Sequence, residues 1–324
     1  MPSVRTERRI GSFIDDDYMA KKILIIGGTR FFGRRLVQRL LDAGEHVTLA
    51  TRGQTRDDFG DRVRRIAVDR RDARALRNAT RGLDFDVVFD QVCYTPLDAR
   101  TAADLFAGRA GRYVMASTIE VYRPLVGIES GPFKEGALAL TDKDALDGDS
   151  RWRDPAWAEP RYGEGKRRAE AVFERDGRLA FVAVRIGHVL GGPEDFTGRL
   201  AAHVQAARAG RPLAQADSVR GASSFISPED ISLLLQWTAV QEFIGPVNAA
   251  SQGGLDAAAL HRRVLQALSL PAPAAAAGEF ASPFDYPAPF EMDMSRASAL
   301  GHRFRPVDAW LPDTIRAHVE AVAS

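Results

Sequence analysis

The feature that most narrows what this chain can fold into is a short apolar run, Ile23 to Ile26. It breaks into Gly27-Gly28-Thr29-Arg30-Phe31-Phe32-Gly33 and resumes as an amphipathic stretch. In that stretch Leu36, Val37, Leu40 and Leu41 recur at helical spacing, and Gly44 stands where helices commonly end. A strand, a turn that demands glycine and a half-buried helix form one β-turn-α unit. Further apolar runs at Val47 to Ala50, Arg65 to Val68, Val87 to Asp90, Tyr113 to Ala116 and Phe181 to Val184 alternate with amphipathic stretches. Because these runs are continuous rather than alternating, both faces of each strand must be covered, as in a parallel sheet. The expected fold class is α/β: a Rossmann-type doubly wound parallel sheet with a smaller C-terminal α+β substrate-binding region. The sheet is expected over residues 19–190 and the substrate region over 191–324.

The same turn predicts a ligand. Backbone N–H groups at a helix N-terminus, approached past glycine, attract the diphosphate of a dinucleotide. Gly27, Thr29, Arg30, Phe31, Phe32 and Gly33 are the expected contacts. The end of the second strand discriminates between nicotinamide cofactors, since an acid there accepts from a free ribose hydroxyl. This chain has Ala50-Thr51-Arg52 instead, and both Arg52 and Arg30 offer guanidinium groups to a ribose phosphate. NADP(H) is therefore favoured, with NAD(H) left open.

Composition argues against other classes. Lys and Arg number 44 against 43 Asp and Glu, a net charge of +1, so no global field favours nucleic acid or an anionic membrane. Arg62, Arg64, Arg70 and Arg71 form at most a local basic cluster. Cys93 is the one cysteine, which excludes an internal disulfide and a cysteine-based zinc site, and no metal is expected. No apolar run reaches the roughly twenty residues of a membrane span, and the start lacks a signal-like apolar centre. A reducing cytoplasm fits these features. Residues 1–18 read as a disordered leader, residues 123–161 with Trp152 and Trp157 as a lid insertion, and Pro271 to Ala277 as a linker.

A second motif lies downstream. Tyr162-Gly163-Glu164-Gly165-Lys166 opens a helical stretch, and a spacing of four puts Tyr162 and Lys166 on one face. A phenol whose ordinary pKa is about 10 needs a nearby ammonium to exchange protons at neutral pH. Upstream, a strand ends in Ser117-Thr118.

With these motifs the chain, from Lys21 onward, resembles the short-chain dehydrogenase/reductase superfamily in its extended or atypical branch, the NAD-dependent epimerase/dehydratase family. The resemblance implies that Tyr162 is the acid/base, that Lys166 tunes it and holds the nicotinamide ribose, and that Thr118 binds the reacting oxygen. It places Ser117 beside the cofactor, Asp69 with Arg70 at the adenine and Val92 at the nicotinamide side. Glu120 matches a carboxylate that works on substrate in nucleotide-sugar dehydratases and decarboxylases, although Ile119 stands where dehydratases have an acid. His188 stands at a substrate-contact position usually held by Asn. Serine replaces a diphosphate-clamping arginine within Ser223-Ser224-Phe225-Ile226-Ser227, a role that would fall to Arg199 or Arg220. A homodimer through the Tyr162 helix is implied as well.

An exchangeable NADP(H) leans towards a reductase acting on a ketone or aldehyde of a polar, sugar-like or secondary-metabolite substrate. A nucleotide-sugar epimerase, dehydratase or decarboxylase with tightly bound NAD is the alternative. The Gly-Gly-Thr-Arg-Phe-x-Gly loop is similar to that of a branch containing chloroplast RNA-binding proteins. An NADP-sensing or RNA-binding regulator therefore remains a third reading.

Overall fold

Seven parallel strands in the order β3-β2-β1-β4-β5-β6-β9 form the central sheet of the computed structural model, which describes residues 19–214, 220–272 and 279–323. The leader 1–18 and most of the Pro271 to Ala277 piece lie outside the described residues. In chain order the sheet half consists of β1 (Lys22–Ile26), α1 (Phe31–Asp42), β2 (His46–Thr51), β3 (Arg64–Ala67), α2 (Ala73–Ala79) and β4 (Phe85–Asp90). It continues with α3 (Pro96–Phe106), β5 (Ala110–Thr118), α4 (Asp142–Ala145), α5 (Pro155–Ala158), α6 (Tyr162–Asp176) and β6 (Phe181–Ile186). The remainder is β7 (His188–Val189), α7 (Arg199–Arg208), β8 (Phe225–Ile226), α8 (Pro228–Thr238), β9 (Gly245–Ala249), α9 (Ala257–Ala267), α10 (Ser295–Ala299) and α11 (Leu311–Ala323).

Alternation along β1 shows why its run is continuously apolar. Ile23 and Ile25 join a core with Leu36, Val37 and Leu40 of α1 and Ile231, Leu234 and Leu235 of α8. Leu24 and Ile26 face the opposite core, with Ala99 and Phe106 of α3 and Val172 and Phe173 of α6. A buried aliphatic side chain of this size stabilises by about 1.5–3 kcal/mol relative to exposure. Helices therefore cover both faces, which makes the sheet doubly wound.

The chain returns to this sheet after residue 190, so the division drawn in the sequence is not one in space. β9 pairs with β6 from Gly245 opposite Val182 to Ala249 opposite Ile186, and α8 packs on α1. β9 reads Gly-Pro-Val-Asn-Ala, which offers no apolar run. Proline is tolerated there because β9 is an edge strand. A third core gathers Leu200 and Val204 of α7, Leu260 and Val264 of α9, and Leu311 and Ile315 of α11 around Phe225, Phe284 and Phe290.

Residues 123–161 lack a period because short helices and side-chain anchors hold them. Arg185 Nη1 donates to the Glu135 carbonyl at 2.9 Å, and the Asn248 N–H donates to the Glu135 carboxylate at 2.8 Å. Trp152 is buried, its indole N–H bonded to Asp147 at 2.5 Å, and Arg100 donates to the Ala145 carbonyl at 2.8 Å.

Candidate active site

The strand order reverses between β1 and β4, and the crevice at the C-terminal ends of these strands is where open α/β sheets bind ligands. The glycine turn lies there. Gly28 has φ +90, and a Cβ on it would come within 2.8 Å of Ile25 Cγ2. Arg30 caps α1 in extended conformation, and the left-handed conformation falls on Phe31, with φ +51. That costs a non-glycine residue about 1–2 kcal/mol. Packing offsets it: the Phe31 ring is buried 5.8 Å from Phe32 and 5.9 Å from Phe196, centroid to centroid.

Arg30 and Arg52 both lie exposed beside the turn, Arg30 donating to Thr55 Oγ1 at 3.2 Å. Among the described residues neither forms a salt bridge. Asp69 is held below the usual carboxylate range by Arg71, with a smaller contribution from Arg52. Arg70 departs from expectation. It is buried and paired with Asp90 and, at 2.7 Å, with Asp98. Fully buried Asp90 requires a countercharge, which turns this guanidinium inward and away from any nucleotide. Val92 packs against Gly27 rather than lining the crevice; its chain neighbours Gln91 and Tyr94 line it instead.

Beyond the turn, a cavity of about 680 Å³ brings together Ser117 and Thr118 from β5, Tyr162 and Lys166 from α6, His188 from β7 and Arg199 from α7. Phe31, Phe32 and Glu120 also line it. Tyr162 and Thr118 lie together on the cavity wall, and desolvation pushes the Tyr162 phenol up. Lys166 Nζ donates to the Ala116 carbonyl at 2.5 Å, with the Tyr94 ring centroid at 4.6 Å and that of Tyr162 at 5.8 Å. Burial lowers Lys166 to about 8. The expected lowering of Tyr162 by Lys166 is not what dominates here: the ammonium sits under the ring faces, and desolvation of the phenol prevails.

Ser117 lines the cavity, but its hydroxyl donates to Glu170, which also binds Arg185. This buried network ties α6 to β5 and β6. Glu120 forms a salt bridge with Arg123 at 2.9 Å, so its charge is locally balanced. His188 Nδ1 lies 3.3 Å from Arg199 Nη1; a guanidinium only donates, so Nδ1 accepts and the ring proton is on Nε2. Nε2 then donates to the Tyr286 hydroxyl at 2.9 Å. Burial, followed by Arg199 and Arg123, keeps this imidazole neutral, well below its ordinary pKa.

Arg199 donates to Thr197, His188 and the Val189 carbonyl and lies over Phe284, with no salt bridge among the described residues. Arg220 is not part of the cavity wall: Asp285 holds it at 3.0 Å. Sequence reasoning missed Gln91, Tyr94, Arg123 and Phe196. Position immediately after β4 was the available signal for the first two. Arg167 and Arg168 of α6 are half-buried and paired with Asp144 and Asp147 of the intervening segment.

Residues 23–107 match the family described as the NAD dependent epimerase/dehydratase family. The epimerase/dehydratase fold extends further. The dTDP-glucose 4,6-dehydratase of Bacillus anthracis in complex with NAD is similar at TM-score 0.71 and 13% identity, covering 93% of this chain and 97% of that one. The UDP-glucose 4-epimerase of Thermotoga maritima with UDP-glucose is similar at TM-score 0.70 and 14% identity, over 93% and 99%. By sequence, the chain is 26% identical over 211 residues to the chloroplast stem-loop binding protein of 41 kDa b of Arabidopsis thaliana. That match covers 60% of this chain and 48% of the relative, so it spans about half the relative's length. No helix of the described residues is long and apolar enough to cross a membrane. Among the same residues no group of three or more His, Cys, Asp or Glu is placed to hold a metal ion.

Proposed function

We propose that this chain is an NADP(H)-dependent oxidoreductase that reduces a ketone or aldehyde on a polar, sugar-like or secondary-metabolite substrate. The observation that carries the reading is the convergence of Tyr162, Thr118 and Lys166 on one cavity beside the glycine turn. The turn suits a dinucleotide because side chains at Gly28 and Gly33 would collide with its own walls. Arg30 and Arg52, which form no salt bridge among the described residues, favour a ribose phosphate.

When bound, the nicotinamide supplies a hydride to the carbonyl carbon. Thr118 orients the carbonyl oxygen as the C=O electron pair moves onto it, and Tyr162 delivers its proton to that oxygen. A phenol, whose ordinary pKa is about 10, is protonated at neutral pH and so can act as the proton donor in this direction. The Lys166 ammonium, charged below about pH 8, favours the phenolate left behind. Arg199 supplies the substrate wall with a cation for an anionic or strongly polar group.

The fold likeness to sugar-nucleotide enzymes supports a second reading, an epimerase or related enzyme with tightly held NAD. The stem-loop binding relative supports a third, a regulator that binds RNA. A homodimer through α6 would have to use what α4 leaves uncovered, and a cytoplasmic location remains part of the proposal.

Calorimetric titration with NADPH and NADH, after assaying a denatured extract for nucleotide, tests the three. Exchangeable NADPH preferred over NADH supports the reductase, with Tyr162→Phe lowering turnover by about 10²–10⁴-fold at unchanged NADPH affinity. Retained NAD moves the assignment to the epimerase, and RNA binding without nucleotide binding moves it to the regulator.

A further inference from the structure

The proposed proton transfer needs Lys166 charged, yet Lys166 is buried and forms no salt bridge among the described residues. The Ala116 carbonyl accepts from one of its three N–H groups. Burial disfavours an ammonium in such a place. Asp90 and Asp98 favour the charge from a distance, but both are bound to Arg70, which opposes it. Cys93, the other titratable neighbour, is a buried thiol that desolvation pushes up, so it brings no negative charge.

Beside that carbonyl the ammonium meets the Tyr94 ring, whose centroid lies 4.6 Å from Nζ, closer than that of Tyr162 at 5.8 Å. An aromatic face within about 6 Å attracts a cation through its quadrupole. The fold fixes this ring from two sides. The Asp98 carboxylate accepts from the backbone N–H of Tyr94 at 3.0 Å and of Thr95 at 3.1 Å, and its other oxygen holds Arg70. Opposite, a Cβ on Gly165 would come within 2.4 Å of the Tyr94 carbonyl oxygen. The residue before Lys166 is therefore glycine where α6 lies against the Tyr94 backbone, and this close approach brings the Tyr94 ring to the next residue of the helix. The ring also lines the cavity and packs 6.0 Å from the Tyr162 ring, centroid to centroid.

We infer that Tyr94 is a positioning residue for Lys166, the face of its ring holding the ammonium beside Tyr162. The inference rests on the Tyr162–Lys166 pair of the proposed reaction and adds the group that keeps its cation in place.

The chain has five lysines, Lys21, Lys22, Lys134, Lys143 and Lys166. Carbon-13 labelling of lysine Cε in the full-length chain therefore gives a small set of NMR signals, and Lys166→Met identifies the one from Lys166. Following that signal through pH in the unliganded protein reads the titration directly, without a substrate. Wild type is expected to titrate at about 8. Tyr94→Leu keeps an apolar cover but removes the aromatic face, and is expected to titrate about 1 pH unit lower, as for the loss of a cation–π contact shielded from water. Tyr94→Phe keeps the ring and titrates with wild type, while the signals of the other lysines stay in place in both variants. A Lys166 titration unchanged in Tyr94→Leu overturns the inference. So does one raised towards the ordinary lysine value, which would show that the ring only excludes water, and so does Tyr94→Phe behaving as Tyr94→Leu. Titration of the same samples with NADPH separates this from the reaction itself: failure of the wild-type chain to bind NADPH overturns the oxidoreductase reading, while the lysine titration still decides the role of Tyr94.

Discussion

Arg70 and Arg199 are both withdrawn from bulk water, and the sequence offers both as ligand contacts, yet they do opposite work. Arg70 lies under the C-terminal ends of β3 and β4 between two aspartates. Arg199, at the start of α7, borders the cavity with only neutral partners among the described residues. The same contrast separates Arg185, held by Glu170, from Lys166, held by a carbonyl. A withdrawn cation with a matched carboxylate belongs to the scaffold. One without a carboxylate carries an unspent charge; Lys166 and Arg199 turn theirs to the cavity, whereas Arg112 is satisfied by the Phe243 carbonyl and ring away from it.

The largest expected effect tests the scaffold side. Arg70→Ala leaves Asp90 and Asp98 without their countercharge and is expected to lower stability by about 3–5 kcal/mol in urea unfolding. A loss under 1 kcal/mol would break the contrast. Arg199→Ala is expected to do the reverse, with stability nearly unchanged and KM for the carbonyl substrate raised about 10–100-fold at similar kcat, as for one lost charge-assisted hydrogen bond. Equal effects on stability from both substitutions would show that carboxylate pairing does not sort the two roles.

The smallest effect sharpens the case of Lys166. Its folded pKa, about 8, lies below the unfolded value, so keeping it charged costs stability below pH 8. As pH rises from about 8 towards the unfolded lysine value of about 10.4, the folded state has released its proton while the unfolded state still binds one, and stability rises. Lys166→Met should thus exceed wild type in unfolding free energy at pH 7, with the gap narrowing at pH 9.5. A gap independent of pH would mean that burial does not penalise this ammonium.

Local pattern made the first six strands legible, because the central ones are covered on both faces; β3, an exposed edge strand, was displaced by one residue. Local pattern also placed Tyr162 at the first position of α6, one turn from Lys166. β9 was hidden because an edge strand with Pro246 needs little apolar sequence. Arg220 misled because its choice of Asp285 over the cavity depends on residues far along the chain.

The sequence by itself determined the βα rhythm, the glycine turn and the Tyr162–Lys166 pairing, since each depends on residues within a few turns of one another. Only tertiary structure decided which charges are spent. Whether a guanidinium meets an aspartate, a histidine or a ligand depends on what long-range packing brings within about 3 Å, the range over which hydrogen bonds and close ion pairs form. Arg70 and Arg199 look alike as letters, and their surroundings give one to the core and the other to the site.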